Sequence, residues 1–494
     1  MSQPDRRHSC DEGSIVIASD RAPFAFFVHG EDLRVEAVSG SVSTILARAA
    51  ASLGGRNVDW VTVTTRDADV RAERAGRFDG VAAETGYRVR PVHLTADEHR
   101  AYYADVGVRM LWFALHELWD ELPPIAYGPA DHEAVRGFAH VSGRVAERIA
   151  AAAEPDAPVL VNDYQLLLVP GRLRTIAERH PIALFVHTPF AGPASMERLP
   201  GSLFRDIVQS MLAADLLGFQ RRLWAERFLA CCRRAGAGVD LERGLVRGGR
   251  RATWVRCYPI AIDPREVAGV GASEAAADCA RELAPGPAER LVARVDRLDP
   301  AKNVLRGFQA FRLLLERERA LRGRVRFAAV LVPSRDYVPE YRWYARRVWD
   351  CVEGLQRDFP GSVTVLHAND RARAMGLLRV HDVLLVNSLL DGMNVVVQEA
   401  AVVNERIGVV GLSTGAGAYE LLGRHAVPID GSRDVGATAD ALALALALPA
   451  SERLRRADGM RSVVAGRSPA LWLLRQLEDL EAVRRGGEPV SAWR

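Results

Sequence analysis

Long apolar runs are missing from this sequence: nowhere do about 18 apolar residues follow one another, so no segment is predicted to cross a bilayer as a helix. The opening residues, MSQPDRRHSCDEG, carry no apolar core of a secretory signal, which predicts a cytoplasmic protein with no membrane partner. Cysteine is scarce and scattered, six in 494 residues (Cys10, Cys231, Cys232, Cys257, Cys279, Cys351). That spacing excludes a disulfide scaffold and a paired CxxC zinc site, and it fits reduced thiols. An excess of one charge is also lacking, with 65 Lys plus Arg against 62 Asp plus Glu and a formal net charge of +3. No nucleic acid is therefore expected as partner, and the Arg-rich stretch 243–251 reads as a solvated, glycine-rich loop. The triplet Asp67-Ala68-Asp69 reads as solvated as well, and no metal is expected. Repeats and low-complexity tracts are absent.

What is present is the composition of a folded enzyme, 49% apolar and 26% charged. The length exceeds what one hydrophobic core sustains, so two domains are expected. Short β-branched runs alternate with helical stretches at 14–18, 58–63, 159–161 and 182–186, then at 291–295, 326–332, 363–366, 383–386 and 407–411. This alternation predicts an α/β protein with two doubly wound parallel sheets facing across a cleft. The first domain is placed at 1–261 and the second at 262–467, hinged near 259–264 (PIAIDP). Residues 468–494 are expected to return to the first domain, led by a Ser-Pro helix start with Leu471, Leu474, Leu477 and Leu480 as its apolar positions.

Ligands of open α/β sheets bind beyond the carboxyl ends of the strands, and four segments place polar groups there. In 382–400 (DVLLVNSLLDGMNVVVQEA) a strand runs through a glycine-containing loop into a helix, so Gly392, Met393, Asn394 and Val395 are candidates to cradle a diphosphate and its sugar. Glu399, one turn into the helix, is a candidate for ribose hydroxyls. In 291–303 (LVARVDRLDPAKN), Arg297 and Lys302 are two cations able to stabilise a departing diphosphate. In 182–190 (IALFVHTPF), His187 ends a buried strand, and Asp163 ends its neighbour in NDYQ.

The order HTPF, RLDPAKN, PSRDYVPEY, LLDGMNVVVQE resembles the trehalose-6-phosphate synthase family of retaining glycosyltransferases over nearly the whole chain. The resemblance implies the GT-B fold of two Rossmann-like domains, and transfer of a sugar from a nucleotide-sugar donor to a phosphorylated acceptor without metal or other cofactor. It implies that Gly40, Arg297, Lys302, Asp391 to Val395 and Glu399 hold the donor, and that His187 and Asp391 contact the transferred sugar. It also implies that Arg21, Tyr103, Trp112, Asp163 and Arg335 hold the acceptor, with Arg21 and Arg335 on its phosphate. Catalysis would rest on His187, Asp391, Arg297 and Lys302. Self-association is left open, as is the choice of UDP or GDP in the donor.

Three positions depart from the family pattern: Ser39 in its Gly-Gly loop, Val63 for the second Trp of its WxGW segment, and Leu390 for the Arg of RDGMN. Because these touch sugar recognition, a second reading stands beside the first. The forms DPAKN, NDYQL and VVNER also resemble the pseudoglycosyltransferases that couple a nucleotide-linked cyclitol to an aminocyclitol phosphate, as in validoxylamine 7′-phosphate synthesis. A third reading, an inactive sugar-phosphate sensor, is opposed by the presence together of His187, Arg297, Lys302, Asp391 and Glu399.

Overall fold

The computed structural model describes residues 13–30, 32–37, 41–54, 56–248 and 251–493. Two sheets organise them. The larger has nine strands in the order Arg88–His93, Asn57–Thr64, Ser14–Ser19, Val159–Asn162, Ile182–Val186, Leu216–Phe219, Arg251–Cys257, Leu245–Gly248, Gly238–Asp240. Its first seven strands are parallel, and the last two turn back antiparallel. The smaller sheet is all parallel, in the order Val363–His367, Val325–Val332, Arg290–Arg297, Val383–Val386, Val409–Ser413, Val427–Ile429. The central strands read as unbroken Val, Ile, Leu and Ala because helices cover both faces and every side chain is buried.

Among the parallel strands of each sheet the order reverses once. The reversal falls between Ser14–Ser19 and Val159–Asn162 in the larger sheet, and between Arg290–Arg297 and Val383–Val386 in the smaller. At such a point the following loops diverge and leave a crevice. At or just past those strand ends are Asp20 and Arg21, Asp163, Arg297 and Asp299, and the loop reaching Asp391.

Several strands carry little signal in the sequence. Arg88–His93 (RVRPVH) alternates charge with valine at the sheet edge, and Leu216–Phe219 is four residues long. The stretch 243–251, expected as a solvated loop, contributes the strand Leu245–Gly248, with Leu245 and Val246 buried against Trp254 and Thr253. Asp69 is likewise not solvated: it is buried in the first turn of helix Asp67–Arg74, accepting from Phe26 N at 2.7 Å and from the Thr64 hydroxyl at 2.6 Å. It fastens the hairpin Phe24–His29/Asp32–Ala37 to the sheet.

The C-terminal helix, Pro469–Arg484, opens on Ser468, whose hydroxyl accepts from Leu471 N, and packs on helix Ser41–Ala51 and on the larger sheet. Its buried face is not the expected row of leucines. Leu471 and Leu474 are 48% and 37% exposed, while Trp472, Leu473, Gln476, Leu477, Asp479 and Leu480 are buried. A three-residue spacing drifts around a helix that turns every 3.6 residues, so the row leaves the interface. Asp479 is completely buried: one oxygen accepts from the Tyr258 hydroxyl at 2.5 Å, the other from Ser491 N at 2.8 Å. Tyr258→Phe strands one of those oxygens, which is expected to cost about 1–3 kcal/mol. Urea or thermal unfolding should show the loss, and an unchanged midpoint would mean that Asp479 does not anchor this helix.

Candidate functional site

The site is built around a carboxylate that has no exposure at all. Asp299 follows strand Arg290–Arg297 and caps the turn Pro300–Lys302, its Oδ1 accepting from Ala301 N at 3.0 Å. Its Oδ2 accepts from the Tyr341 hydroxyl at 2.9 Å and pairs with Arg335 at 3.3 Å and Arg297 at 3.5 Å. From the larger sheet's side the Trp112 indole N–H reaches Oδ1 at 3.4 Å. Burial opposes ionisation of Asp299, but the two guanidinium groups outweigh it and hold the carboxyl below its ordinary value.

Trp112 ends a π-helical stretch, Arg100–Trp112, a winding frequent at functional sites. Arg335 and Arg297 lie over its indole, their Cζ atoms 4.1 and 4.9 Å from the ring centroid. Arg335 takes a left-handed backbone (φ 49°) and also donates to the Tyr341 hydroxyl at 2.6 Å and the Tyr164 hydroxyl at 3.4 Å. Tyr103, on the same π-helix, accepts from Arg21 Nη2 at 3.0 Å. Arg21 is itself exposed and lies 3.7 Å from the Asp20 carboxylate. The structure thus gathers Arg21, Tyr103, Trp112, Arg297 and Arg335 into one cluster.

A second cluster sits at the smaller sheet's reversal. Lys302 Nζ donates to Asp391 Oδ2 at 2.5 Å, and the same oxygen accepts from Asn394 Nδ2 at 3.0 Å and Ser388 Oγ at 3.3 Å. Burial pushes the Asp391 carboxyl up, but Lys302 outweighs it and the net displacement is downward. Beneath lies Arg294, fully buried, paired with Asp296 and donating to Asn387 Oδ1 and the Lys302 carbonyl. It holds the two strand ends of the crevice together. Met393 is buried and Asn394 is left-handed (φ 67°). Helix Val396–Val403 starts directly after Val395; Val397 N donates to the Asn394 carbonyl at 3.3 Å and Gln398 N to the Val395 carbonyl at 2.9 Å, which leaves the Val396 N–H at the positive end of the helix to suit an anion. Glu399 on this helix points elsewhere, 3.7 Å from Arg371, and burial raises its carboxyl to about 7.

The halves meet at Gly392. A Cβ there would stand 1.8 Å from the His187 carbonyl oxygen, so only glycine allows the loop to lie against the strand end. The Gly392 carbonyl accepts from Trp224 Nε1 at 3.3 Å. Arg221 adds bonds to the carbonyls of Thr414 and Ala416, at 2.9 and 3.0 Å. His187 is buried, and its protonation state follows from its neighbours. The Asn162 amide N–H₂ donates to the Leu160 carbonyl, so Oδ1 is the atom 3.1 Å from His187 Nε2, which must donate. Nδ1 is then the bare nitrogen, buried with no partner among the described residues. Burial lowers the imidazole to about 3, so His187 is neutral at physiological pH and can accept from a hydroxyl at Nδ1. Asp163 (φ 79°) accepts from Tyr164 N at 2.9 Å and His187 N at 3.3 Å, and burial raises its carboxyl to about 7.

Gly40 and Ser39 lie outside the described residues. Sequence reasoning passed over Asp299, Tyr164, Tyr341, Arg294 and Trp224, as well as His116, a buried imidazole stacked on Trp112 at 3.9 Å and lowered by burial to about 4. Asp299 left a signal in an Asp-Pro step closing a buried strand inside the RLDPAKN motif, and Tyr164 and Tyr341 lie inside NDYQ and PSRDYVPEY.

The model of glycosyltransferase family 20 matches residues 15–482. The chain is 28% identical over 485 residues to the bifunctional trehalose-6-phosphate synthase/phosphatase of Thermoproteus tenax, covering 93% of this chain but 62% of that protein, so it spans less than two thirds of that relative's length. It is 30% identical over 481 residues to validamine 7-phosphate valienyltransferase of Streptomyces hygroscopicus, covering 95% of this chain and 94% of the other. The solved α,α-trehalose-phosphate synthase (UDP-forming) of Burkholderia xenovorans, in complex with glucose-6-phosphate, superposes with a TM-score of 0.78 at 22% identity, over 95% of this chain and 99% of that one. The fold is GT-B.

Asp163 gives the pH prediction. Its folded pKa of about 7 lies above the ordinary value of about 3.9, so the proton is held more tightly in the folded state. The stabilisation is complete below about pH 4 and is lost as the pH rises through 7. Asp163→Asn keeps an acceptor oxygen and never ionises. Without ligand it should match the parent near pH 4 and exceed it by on the order of 1–3 kcal/mol at pH 8. A difference in unfolding midpoint that stays constant from pH 4 to 8 would rule out a buried, neutral Asp163.

Proposed function

The chain belongs to glycosyltransferase family 20, and from that premise we propose that it transfers a glucosyl group from UDP- or GDP-glucose to glucose 6-phosphate, forming α,α-trehalose 6-phosphate. The observation that carries this reading is two cationic clusters in one cleft, Arg297 and Arg335 on the buried Asp299 with Arg21 beside them on Tyr103, and Lys302 on Asp391. Residues 1–261 with 468–494 form the acceptor half and 262–467 the donor half.

In this mechanism Arg297, Lys302 and the Val396 N–H at the helix start hold the donor diphosphate. Glu399 exchanges part of its pairing with Arg371 for the ribose hydroxyls. His187 Nδ1 and Asp391 orient the sugar to be transferred. On the other side Arg21 and Arg335 grip the acceptor phosphate, while Tyr103, Trp112 and Asp163 position its ring. The bond from the anomeric carbon to the diphosphate oxygen breaks, and the acceptor hydroxyl forms a new bond on the same face. Its proton passes to the leaving diphosphate, so configuration is retained. Arg297 and Lys302 stabilise the charge that grows on that group, the kind of preorganised electrostatics that is usually the largest catalytic contribution.

A second reading, transfer of a nucleotide-linked cyclitol to an aminocyclitol phosphate, is supported by the valienyltransferase relative at 30% identity. Mass spectrometry of products from a matrix of nucleotide sugars, nucleotide cyclitols and phosphorylated acceptors separates the two. The sugar reading requires a phosphodisaccharide, and a cyclitol product alone would replace it. Lys302→Ala and Arg297→Ala should each lower kcat by about 10²–10³. Removing the acceptor phosphate should lower kcat/KM at least about a hundredfold, because two or more charge-assisted bonds are lost. Equal kcat/KM with and without that phosphate would return Arg21 and Arg335 to a structural role.

A further inference from the structure

The chain passes between the two sheets twice, through residues 258–263 and again through 466–468, and both crossings line one cavity of about 410 Å³. That volume lies within the range of small-molecule sites. Its polar lining is unusual for this molecule, whose arginines are mostly paired with carboxylates. Arg467, on the second crossing, donates only to the Pro259 carbonyl at 2.8 Å, and its buried Nε has no acceptor among the described residues. Arg475, on the C-terminal helix, is exposed and makes no hydrogen bond or ion pair among the described residues. The two cations lie close enough for the charge on Arg475, added to burial, to depress the ionisation of Arg467. Glu478, one turn beyond Arg475, is the acidic side chain in the lining and is likewise without a hydrogen-bond partner among the described residues. The remaining wall includes Leu471 and Trp472.

We propose that this cavity binds a small phosphorylated polyol, its phosphate between Arg467 and Arg475 and its hydroxyls on Glu478, at a site separate from the transfer cleft. Two uncompensated guanidinium forks facing one space match a phosphate dianion bidentately. The carboxylate of Glu478 opposes a bare anion and favours a ligand that brings hydroxyl donors with its phosphate. The position supplies a consequence for activity. A ligand held here bridges both chain crossings, and it rests on Trp472, whose ring lies 5.8 Å from that of His187 and whose Nε1 donates to the Tyr258 carbonyl at 2.9 Å. Occupancy therefore acts on the hinge and on the support of His187 together.

The test is a ³¹P NMR titration of the full-length protein with sn-glycerol 3-phosphate, ribose 5-phosphate and inorganic phosphate. It compares the parent with Arg475→Ala, Arg467→Gln and, as a control in the cleft, Arg335→Ala. Because Arg475 holds nothing in the folded protein, Arg475→Ala should fold normally and weaken binding of the two phosphorylated polyols at least about tenfold, the cost of one charge-assisted bond. Arg335→Ala should leave that binding unchanged, and inorganic phosphate should bind more weakly than either polyol. Loss of binding in Arg335→Ala with none in Arg475→Ala would assign the ligand to the cleft and overturn the proposal. No binding by the parent, or equal binding of inorganic phosphate, would overturn it as well.

Discussion

The architecture of the cleft depends on one buried charge. Asp299 has no contact with solvent, yet it is held ionised because Arg297 and Arg335 lie on it, and it also draws the Trp112 indole and the Tyr341 hydroxyl. A buried ion cluster of this kind contributes little net stability, since desolvation offsets much of the attraction. Its effect is geometric. Two long cationic side chains that would otherwise sample many rotamers are confined over one indole, where a phosphate can meet them without further ordering cost.

The charges around this centre are distributed unevenly. Asp299 and Asp391 are held ionised by their cations, while burial pushes Asp20, Asp163 and Glu399 toward the neutral form. The imidazoles of His187 and His116 are driven neutral by the same burial. What remains charged is Arg21, Arg297, Arg335 and Lys302 against the two ionised carboxylates of Asp299 and Asp391, and arginine does not deprotonate. The unliganded cleft is therefore set for anions, and its neutral groups are left as hydrogen-bond partners for hydroxyls.

Much of this was legible in the sequence, and the boundary of legibility has a physical cause. The central strands announce themselves because burial on both faces demands unbroken apolar runs, and strand ends followed by polar loops point to the cleft through topology alone. Arg297, Lys302 and His187 follow from that rule, and Asp391 from the family motif. The residues that went unread act through partners remote in the chain. Tyr164 and Arg335 meet across 171 positions and Trp112 and Asp299 across 187, and no local period encodes such a pair. The C-terminal helix shows a subtler loss. Its leucines are spaced by three, but the buried face follows Trp472, Gln476, Asp479 and Leu480, and two of those are polar.

Leu390 shows how a departure from the family pattern changes the electrostatics without disturbing the fold. Where the resemblance has arginine before Asp-Gly-Met-Asn, this chain has a leucine that is 7% exposed and packed in the core. A guanidinium at that place would stand one residue from Asp391 and compete for its carboxylate. With leucine there, Lys302 is the cation that Asp391 meets among the described residues, and Asn394 and Ser388 supply its other donors. The loop keeps its shape through the main chain: Asp391 N donates to the Gly415 carbonyl, Gly417 N to the Asp391 carbonyl and Ala418 N to the Met393 carbonyl. The backbone is fixed by these bonds and by the glycine contact at His187, so the loop does not need the side chain at 390 to shape it, and Leu390 serves the core instead. In the proposed reaction the charge this loop brings to the transferred group is then that of Asp391 paired with Lys302, with no guanidinium from position 390 to compete for the carboxylate.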